Sequence, residues 1–409
     1  MIPDSTICAI ATPHGTGAIA IIRLSGSDTY PVLEKIFKPR RNISIRSVPS
    51  HTVLFGKITD GSDTIDESLV MCFRGPTSYT GEDLAEISCH GSLYIQNRIL
   101  NLLIRHGARL ARAGEFTQRA FMNGKMDLAQ AEAVADVIAS ESKASHRLAI
   151  EQMRGGFSRE ISTLRSRLLE FATMIELELD FSEEDVEFAD RSRLKALIGE
   201  IRQVIDRLVQ SFQLGNVLKN GVPVAIAGRT NVGKSTLLNA LLNEEKAIVS
   251  DIHGTTRDAI EDVISIGGVA FRFIDTAGLR ETTDTIEKIG IERSYDRIAK
   301  AKIILYIIEA GDNSNDARTQ IQAINTEDRQ QLIVIINKAD MYPAEQTAKL
   351  IDALNLPAPV LVISAKSGAG IEQLKQILSD TVQGSGQGEV IVTNARHYEA
   401  LQKLSLIHI

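Results

Sequence analysis

The stretch Gly228-Arg-Thr-Asn-Val-Gly233-Lys234-Ser235 constrains this chain more than any other. It follows an apolar run, Val222–Ala227, and opens a helix expected over Lys234–Asn243. Strand, glycine-rich turn and helix in that order form the setting a phosphate-binding loop needs. Glycines let backbone N–H groups close on phosphate oxygens, and the helix N-terminus adds its dipole. The candidate contacts are Gly228, Asn231, Val232, Gly233, Lys234, Ser235 and Thr236. Lys234 would reach the β- and γ-phosphates, and the Ser235 hydroxyl would ligate Mg²⁺.

The chain downstream supports that reading. Apolar runs Phe271–Ile274, Ile303–Ile308, Leu332–Ile336 and Pro359–Ile363 alternate with helical segments. Such alternation predicts an α/β P-loop domain with a mostly parallel sheet covered on both faces. Asp275-Thr276-Ala277-Gly278 ends one run, where a carboxylate positions Mg²⁺ through water and a glycine approaches the γ-phosphate. Asn337-Lys338-Ala339-Asp340 ends another. A carboxylate at Asp340 accepts from the N1–H and exocyclic amine of guanine, a pair that adenine does not offer. Ser364-Ala365-Lys366 would bound the base pocket, and Gly254-Thr255-Thr256-Arg257-Asp258 lies where a switch loop supplies a hydroxyl to Mg²⁺. These motifs, in this order on these elements, imply a guanine nucleotide. Leu279 stands where Ras-like GTPases carry a water-orienting Gln. Leucine cannot hold a water, so another residue must.

The other half of the chain is not of this type. With 409 residues, two or three domains are expected. Residues 1–120 mix short strands and turns, including a hairpin over His51–Ile58 and Thr64–Arg74 and a helix over Ser92–His106, and predict an α+β domain. Residues 121–215 carry apolar positions at helical spacing, among them Met126, Ala129, Ala133, Val137, Leu164, Leu168, Phe171 and Ile175, with no proline. They predict a helical bundle, broken at Arg154-Gly155-Gly156 and again at the acidic run Glu183-Glu184-Asp185, with a further helix from Arg191 to Leu214. Residues 216–383 would be the nucleotide domain, and 384–409 a Gly/Ser/Gln linker followed by a short last segment.

Composition excludes several classes. The net charge of −7 argues against strong nonspecific nucleic-acid binding by the chain alone. Trp is absent, which disfavours broad stacking platforms. Cys8, Cys72 and Cys89 lack CxxC spacing and fit free thiols in a reducing compartment. No secretory signal or membrane span is evident, so a cytoplasmic location without membrane attachment is expected. Gly15-Thr-Gly17-Ala-Ile-Ala20 matches a dinucleotide fingerprint, but a β-branched run follows it where a helix is required.

Long strings outside the nucleotide motifs carry a resemblance. Thr77-Ser-Tyr-Thr-Gly-Glu-Asp83, Cys89-His-Gly91, Ala113-Gly-Glu-Phe-Thr-Gln-Arg-Ala-Phe121, Asn123-Gly-Lys-Met-Asp-Leu-Ala-Gln-Ala-Glu132 and Val392-Thr-Asn-Ala-Arg396 resemble the MnmE (TrmE) family of tRNA-modification GTPases. The resemblance implies an N-terminal domain that binds a reduced folate, formyl- or methylene-tetrahydrofolate, and forms a homodimer. It implies a discontinuous helical domain and a flavoprotein partner, MnmG (GidA). With that partner the family adds an aminomethyl or carboxymethylaminomethyl group to the wobble uridine of certain tRNAs. It further implies G domains that dimerise in the transition state with K⁺ in place of an arginine finger. Carried over by position, Asn231 and Thr255 would bind K⁺ through side chains and Ser250 and Ile252 through carbonyls. Ser235 and Thr256 would hold Mg²⁺, with Asp275 through water, and Glu287 would position the attacking water. Arg23, Glu86 and Lys125 match the family's folate positions. A regulatory GTPase of ribosome assembly is the rival class; it lacks the N-terminal strings.

Three departures stand out. Ser250 replaces a usual Thr, and Ser92 a glycine. The family pattern also continues into further helices and a terminal Cys-Ile-Gly-Lys whose cysteine is essential for modification. Here Leu404-Ser-Leu-Ile-His-Ile409 stands instead, the translation of CTG TCT CTT ATA CAC ATC, the mosaic end of a library transposon. The expectation is a C-terminally truncated chain with an adapter-derived tail that does not continue the helix begun at His397–Lys403.

Overall fold

The computed structural model describes residues 5–180, 191–245, 262–274, 301–324, 330–356, 358–383 and 390–407. They form two compact units, Met1–Ala135 with Met153–Ser158, and Asp136–Gln152 with Arg159–Ile409.

In the first unit, polar–apolar alternation gives strands β1 (Ile7–Ile10), β2 (Ile19–Ser25), β3 (Phe37–Pro39), β4 (Thr52–Asp60), β5 (Asp63–Phe73), β6 (Leu84–His90) and β7 (Arg109–Leu110). Their order in one sheet is β3-β4-β5-β6-β2-β1-β7, antiparallel throughout except for β1 with β7. Helices α1 (Thr29–Ile36) and α2 (Leu93–Arg105) contribute Tyr30, Leu33, Ile36, Ile99, Leu102 and Leu103 to the core under Ile22, Leu24, Val70 and Ile87. The expected hairpin is β4–β5. The Gly15–Ala20 fingerprint runs into strand β2 and not a helix, as its β-branched sequence requires.

Helix α3 (Glu115–Met122) anchors the unit through charge. Arg119 is 2% exposed and donates to Glu82 at 2.9 Å, Glu115 at 3.3 Å and the Ser5 carbonyl at 2.7 Å. Glu115 also accepts from Arg109 and from the Arg112 amide at 2.9 Å. Helix α4 (Leu128–Ile138) opens on a reciprocal cap in which Asp127 and Gln130 each accept the other's amide at 2.9 Å.

Helices α5 (Lys143–Met153), α6 (Gly156–Asp180) and α7 (Arg191–Asn220) make the helical part, all in the second unit but for Met153–Ser158, where the expected break at Arg154–Gly156 falls. Helix α7 runs past Leu214 to Asn220 and leads directly into the nucleotide domain. That domain contains β8 (Val222–Gly228), α8 (Lys234–Glu245), β9 (Asp262–Ile266), β10 (Val269–Phe273), β11 (Ile303–Glu309), α9 (Ser314–Gln322), β12 (Gln331–Asn337), α10 (Ala344–Leu354), β13 (Val360–Val362) and α11 (Ile371–Gln383). The sheet order is β13-β12-β11-β8-β10-β9, parallel except for the β9–β10 hairpin. Strand β11 is buried on both faces, which explains its unbroken apolar run. Ile303, Leu305 and Ile307 pack with Leu237, Leu241 and Leu374, while Tyr306 and Ile308 pack with Ile321, Leu350 and Leu354.

The last helix, α12 (Ala395–Ile407), continues four residues past Lys403, contrary to the expectation that Leu404 onward would break it. Leu404-Ser-Leu-Ile407 contains no proline or glycine, so nothing local stops the helix. Tyr398 of α12 stacks on Phe212 of α7 at 4.3 Å between ring centroids. The acidic run Glu183–Asp185 and the linker Gly384–Gly388 lie outside the described residues. Among the described residues, no helix is long and apolar enough to cross a membrane.

The Glu115 carboxyl is held at about 2, chiefly by the Arg109 guanidinium and also by the Arg112 amide and Arg119. Its folded value lies below the ordinary 4.5, so its stabilising contribution is complete above about pH 4.5 and lost as pH falls through about 2. Glu115→Ala leaves buried Arg119 with Glu82 as its one carboxylate partner and should cost about 3 kcal/mol at neutral pH, read by denaturant unfolding of the N-terminal unit. The deficit should shrink in acid, where the native carboxyl is itself protonated.

Candidate functional site

The parallel strands β8, β11, β12 and β13 all end on the same edge, and the loops leaving them carry the candidate residues. At the end of β8 and in the loop after it, Gly228 (φ 143°) and Gly233 (φ 99°) hold conformations that a side chain disfavours. A Cβ on Gly233 would sit 2.3 Å from the Asn337 side-chain nitrogen, so the loop closes on its neighbour only with glycine there. Asn231 is exposed with φ 62°, a left-handed value Asn tolerates, and Val232 is buried beneath the loop. Lys234 opens α8 and reaches back to the Gly228 carbonyl at 2.7 Å and the Arg229 carbonyl at 2.5 Å. Its ammonium thus lies against the carbonyls at the start of the loop. Ser235 and Thr236 follow in the first turn of α8.

Asn337 does something the motif did not announce. Its side chain, 2% exposed, donates to the Val232 carbonyl at 2.8 Å and accepts from the Ala365 amide at 3.0 Å. One amide group ties the phosphate loop to the loop after β13. Asp340 stands on the next turn, where Ser364 donates to its carboxylate at 2.6 Å. That hydroxyl, with Lys366 nearby, holds the Asp340 carboxyl below its usual range. It is therefore an acceptor at neutral pH. Lys338 (φ 62°) donates to Glu309 at 2.8 Å, and Tyr342 donates to the other oxygen of the same carboxylate at 2.8 Å. Glu309 and Tyr342 were not singled out by sequence, nor was Gln320. With its amide oriented to satisfy both sides, Gln320 accepts from Arg229 at 2.8 and 3.0 Å. An acidic residue ending a buried strand was the only available signal for Glu309.

Ser250, Asp251, Ile252, His253, Gly254, Thr255, Thr256, Asp275, Thr276, Ala277, Gly278, Leu279 and Glu287 lie outside the described residues. The strands that flank them are described: β9 begins at Asp262, and Phe273 of β10 lies two residues before Asp275.

A second cluster lies on the N-terminal sheet. Arg23 of β2 sits opposite Glu86 of β6 and donates to it at 2.9 and 2.7 Å. The guanidinium lies 5.2 Å from the Tyr79 ring centre and 5.5 Å from that of Phe116. Lys125 donates to the Pro76 carbonyl at 2.9 Å, and its stem lies beside Gly81. The Thr77–Asp83 loop thus meets both groups, Tyr79 at Arg23 and Gly81 at Lys125. Cys89 is buried and its neighbour His90 exposed, so the adjacent pair faces opposite ways and cannot chelate together. Burial raises each of the Cys8, Cys72 and Cys89 thiols to about 11, which makes them poor nucleophiles.

A phosphate loop, a carboxylate held ready for a base, and a parallel sheet that joins them define a P-loop protein of the guanine-nucleotide class. Comparison with known proteins agrees. A family model for the GTP-binding protein TrmE N-terminus matches residues 6–125, and one for the MnmE helical domain matches residues 128–406. The tRNA modification GTPase MnmE of Bacteroides thetaiotaomicron is 56% identical, over 99% of this chain and 89% of that protein. The one from Flavobacterium johnsoniae is 52% identical, over 98% and 88%. Among solved structures, the G domain of the T. maritima FeoB iron transporter is 25% identical over 40% of this chain and 99% of its own, at a TM-score of 0.29. The chain belongs to the MnmE family of tRNA modification GTPases.

Asn337→Ala should unfasten the two loops while leaving the Val232 carbonyl and Ala365 amide buried without partners. The expected cost is about 1–3 kcal/mol of stability, with a parallel loss of GTP affinity by titration. Unchanged affinity would mean that the loops hold their places without it.

Proposed function

We propose that this chain hydrolyses GTP as part of the modification of the wobble uridine in certain tRNAs, together with the flavoprotein MnmG (GidA). The observation that carries the proposal is the convergence of the phosphate loop, Asn337 and the Asp340–Ser364 pair at one sheet edge, in a chain that belongs to the family along its length. In this reading residues 1–120 bind a reduced folate and form the homodimer, and 121–215 with 384–409 make the helical domain. Residues 216–383 are the G domain.

The chemistry follows from the residues. Ionised Asp340 accepts from the N1–H and exocyclic amine of guanine, and adenine would leave it unpaired. Backbone amides of the phosphate loop and the Lys234 ammonium stabilise charge that develops on the γ-phosphoryl oxygens. The oxygen donors Ser235 and Thr256, with Asp275 through water, suit Mg²⁺, a hard cation that would neutralise the bridging oxygens. Asn231, Thr255 and the carbonyls of Ser250 and Ile252 form an all-oxygen set for K⁺, supplying the positive charge that an arginine finger supplies elsewhere. Glu287 orients the attacking water, a role Leu279 cannot fill. On the N-terminal sheet, Arg23, Glu86 and Lys125 would hold the folate, with the Tyr79 and Phe116 rings beside the guanidinium.

GTP and ATP hydrolysis by the full chain, in Mg²⁺ with either K⁺ or Na⁺, tests the G-domain reading. GTP alone should turn over, faster in K⁺ by about 100-fold, the scale of one well-placed electrostatic stabiliser. Equal rates in the two salts would remove the K⁺ assignment. Glu287→Ala should lower turnover by about 100-fold or more with nucleotide binding intact; binding that fell in step would make it structural. Formyl-tetrahydrofolate titration should show binding that Arg23→Ala weakens, and no binding by the unaltered chain would favour a ribosome-associated switch instead.

A further inference from the structure

The β9–β10 hairpin touches something outside the nucleotide domain's own sheet. Its tip, Gly267-Gly268, has both residues at positive φ, 60° and 82°, the tight turn that matches strand twist. The Gly268 carbonyl accepts from the Ala144 amide of α5 at 2.9 Å. A Cβ on Gly268 would lie 3.3 Å from the Lys143 Cβ, so the tip is pressed against the first turn of that helix. Ala144 itself packs against the hydrophobic core of the nucleotide domain, as do Val217 and Leu218 of α7.

That first turn is stiff. Ser142 and Ser145, both buried, cap one another, each amide donating to the other's hydroxyl at 3.1 Å. Farther along α5, Gln152 donates to the Thr393 hydroxyl at 2.7 Å and the Ile391 carbonyl at 3.2 Å. The Val392 amide donates to Ser211 of α7 at 3.0 Å. A push on the start of α5 therefore reaches the segment that leads into α12. Room to move exists beside it: a cavity of about 130 Å³ is lined by Ser140, Ser145, Leu148, Ala149, Gln152 and Thr393, with the Asp136–Lys219 ion pair in its wall.

In the proposed reading, both ends of the hairpin lead to residues assigned to the nucleotide and its Mg²⁺, Thr256 and Asp275. Strand β9 is an edge strand that begins six residues after Thr256, and β10 ends two residues before Asp275. Only Phe271–Phe273 of β10 pair with β8, so the tip is held less firmly than the base.

We infer that the β9–β10 hairpin is a lever that couples the nucleotide state to the helical segment, with the Gly268–Ala144 contact as its point of action on α5. The inference rests on the GTPase reading and assigns that site a route of regulation. Displacement of the hairpin shifts the Ser142–Ser145 cap, α5 slides against α7 into the adjoining cavity, and the Gln152–Thr393 bond carries the shift to α12. Small slides of packed helices of this kind are a common mode of transmission.

Amide hydrogen exchange on the full chain, with GDP or a non-hydrolysable GTP analogue, provides the test. Peptides covering 142–153 should differ between the two nucleotides by about fivefold or more in exchange rate, the lower end of ordinary allosteric coupling. Ala144→Pro removes the donor in the first helical turn, where no intrahelical bond is lost. Gly268→Val strains the tip and crowds Lys143. Both variants should keep affinity for labelled guanine nucleotides yet lose most of the difference at 142–153. A nucleotide-independent α5 in the unaltered chain overturns the lever, as does a difference that survives in both variants. Nucleotide binding, measured in parallel, separates the two readings: a chain that binds nucleotide with an indifferent α5 refutes the lever alone. A chain that binds none refutes both.

Discussion

The nucleotide domain depends on one buried amide. Asn337 leaves the end of β12 with its donor and its acceptor both committed, one to the phosphate loop and one to the loop after β13. A buried amide with both ends satisfied fixes two loops against each other; with either end lost it becomes a penalty. Through it the part of the pocket for phosphate and the part for the base are set in one frame before any ligand contributes. Gly233 belongs to the same arrangement, since the Asn337 nitrogen occupies the space a side chain would need. Asp340 and Ser364 then complete the edge proposed to recognise the base, where the Ser364 hydroxyl holds the carboxyl below its usual range.

Much of this was legible because local chemistry dictated it. The turn at Gly228–Ser235, the strand ends at Asn337 and Ser364, the hairpin near Gly61 and the helix break at Arg154–Gly156 each announce themselves by residue type and spacing. The distant partnerships did not. Nothing local to Asn337 says that its amide spans two loops, because a motif gives the residue without its partner across the sheet. Glu309 and Gln320 reach Lys338 and Arg229 only after β11 and α9 have been placed. The end of α12 departs from expectation for the opposite reason. The amphipathic pattern ends near Lys403, but the intrinsic helix propensity of Leu404–Ile407, with no breaker, carries the helix on to Ile407.

The N-terminal unit is held together differently. Its core is apolar, but α3 is fastened by Arg119, Glu115, Glu82 and Arg109, charges that are costly to bury and stable only as a set. Glu82 belongs to the Thr77–Asp83 loop, and Tyr79 of that loop lies beside Arg23 of the Arg23–Glu86 pair. The same loop therefore connects the structural ion network to the residues proposed to hold a folate.

The central claim is that the loops after β8, β12 and β13 make a preorganised site for guanine. Base preference of the Asp340→Asn chain tests it most directly, by titrating GTP and xanthosine triphosphate against the altered and unaltered proteins. Replacing one carboxylate acceptor with an N–H donor should weaken GTP by about 100-fold, the loss of roughly one charge-assisted hydrogen bond, and should confer binding of xanthosine triphosphate. Weakened GTP with no gain of xanthosine binding, or no change in either, would contradict the account.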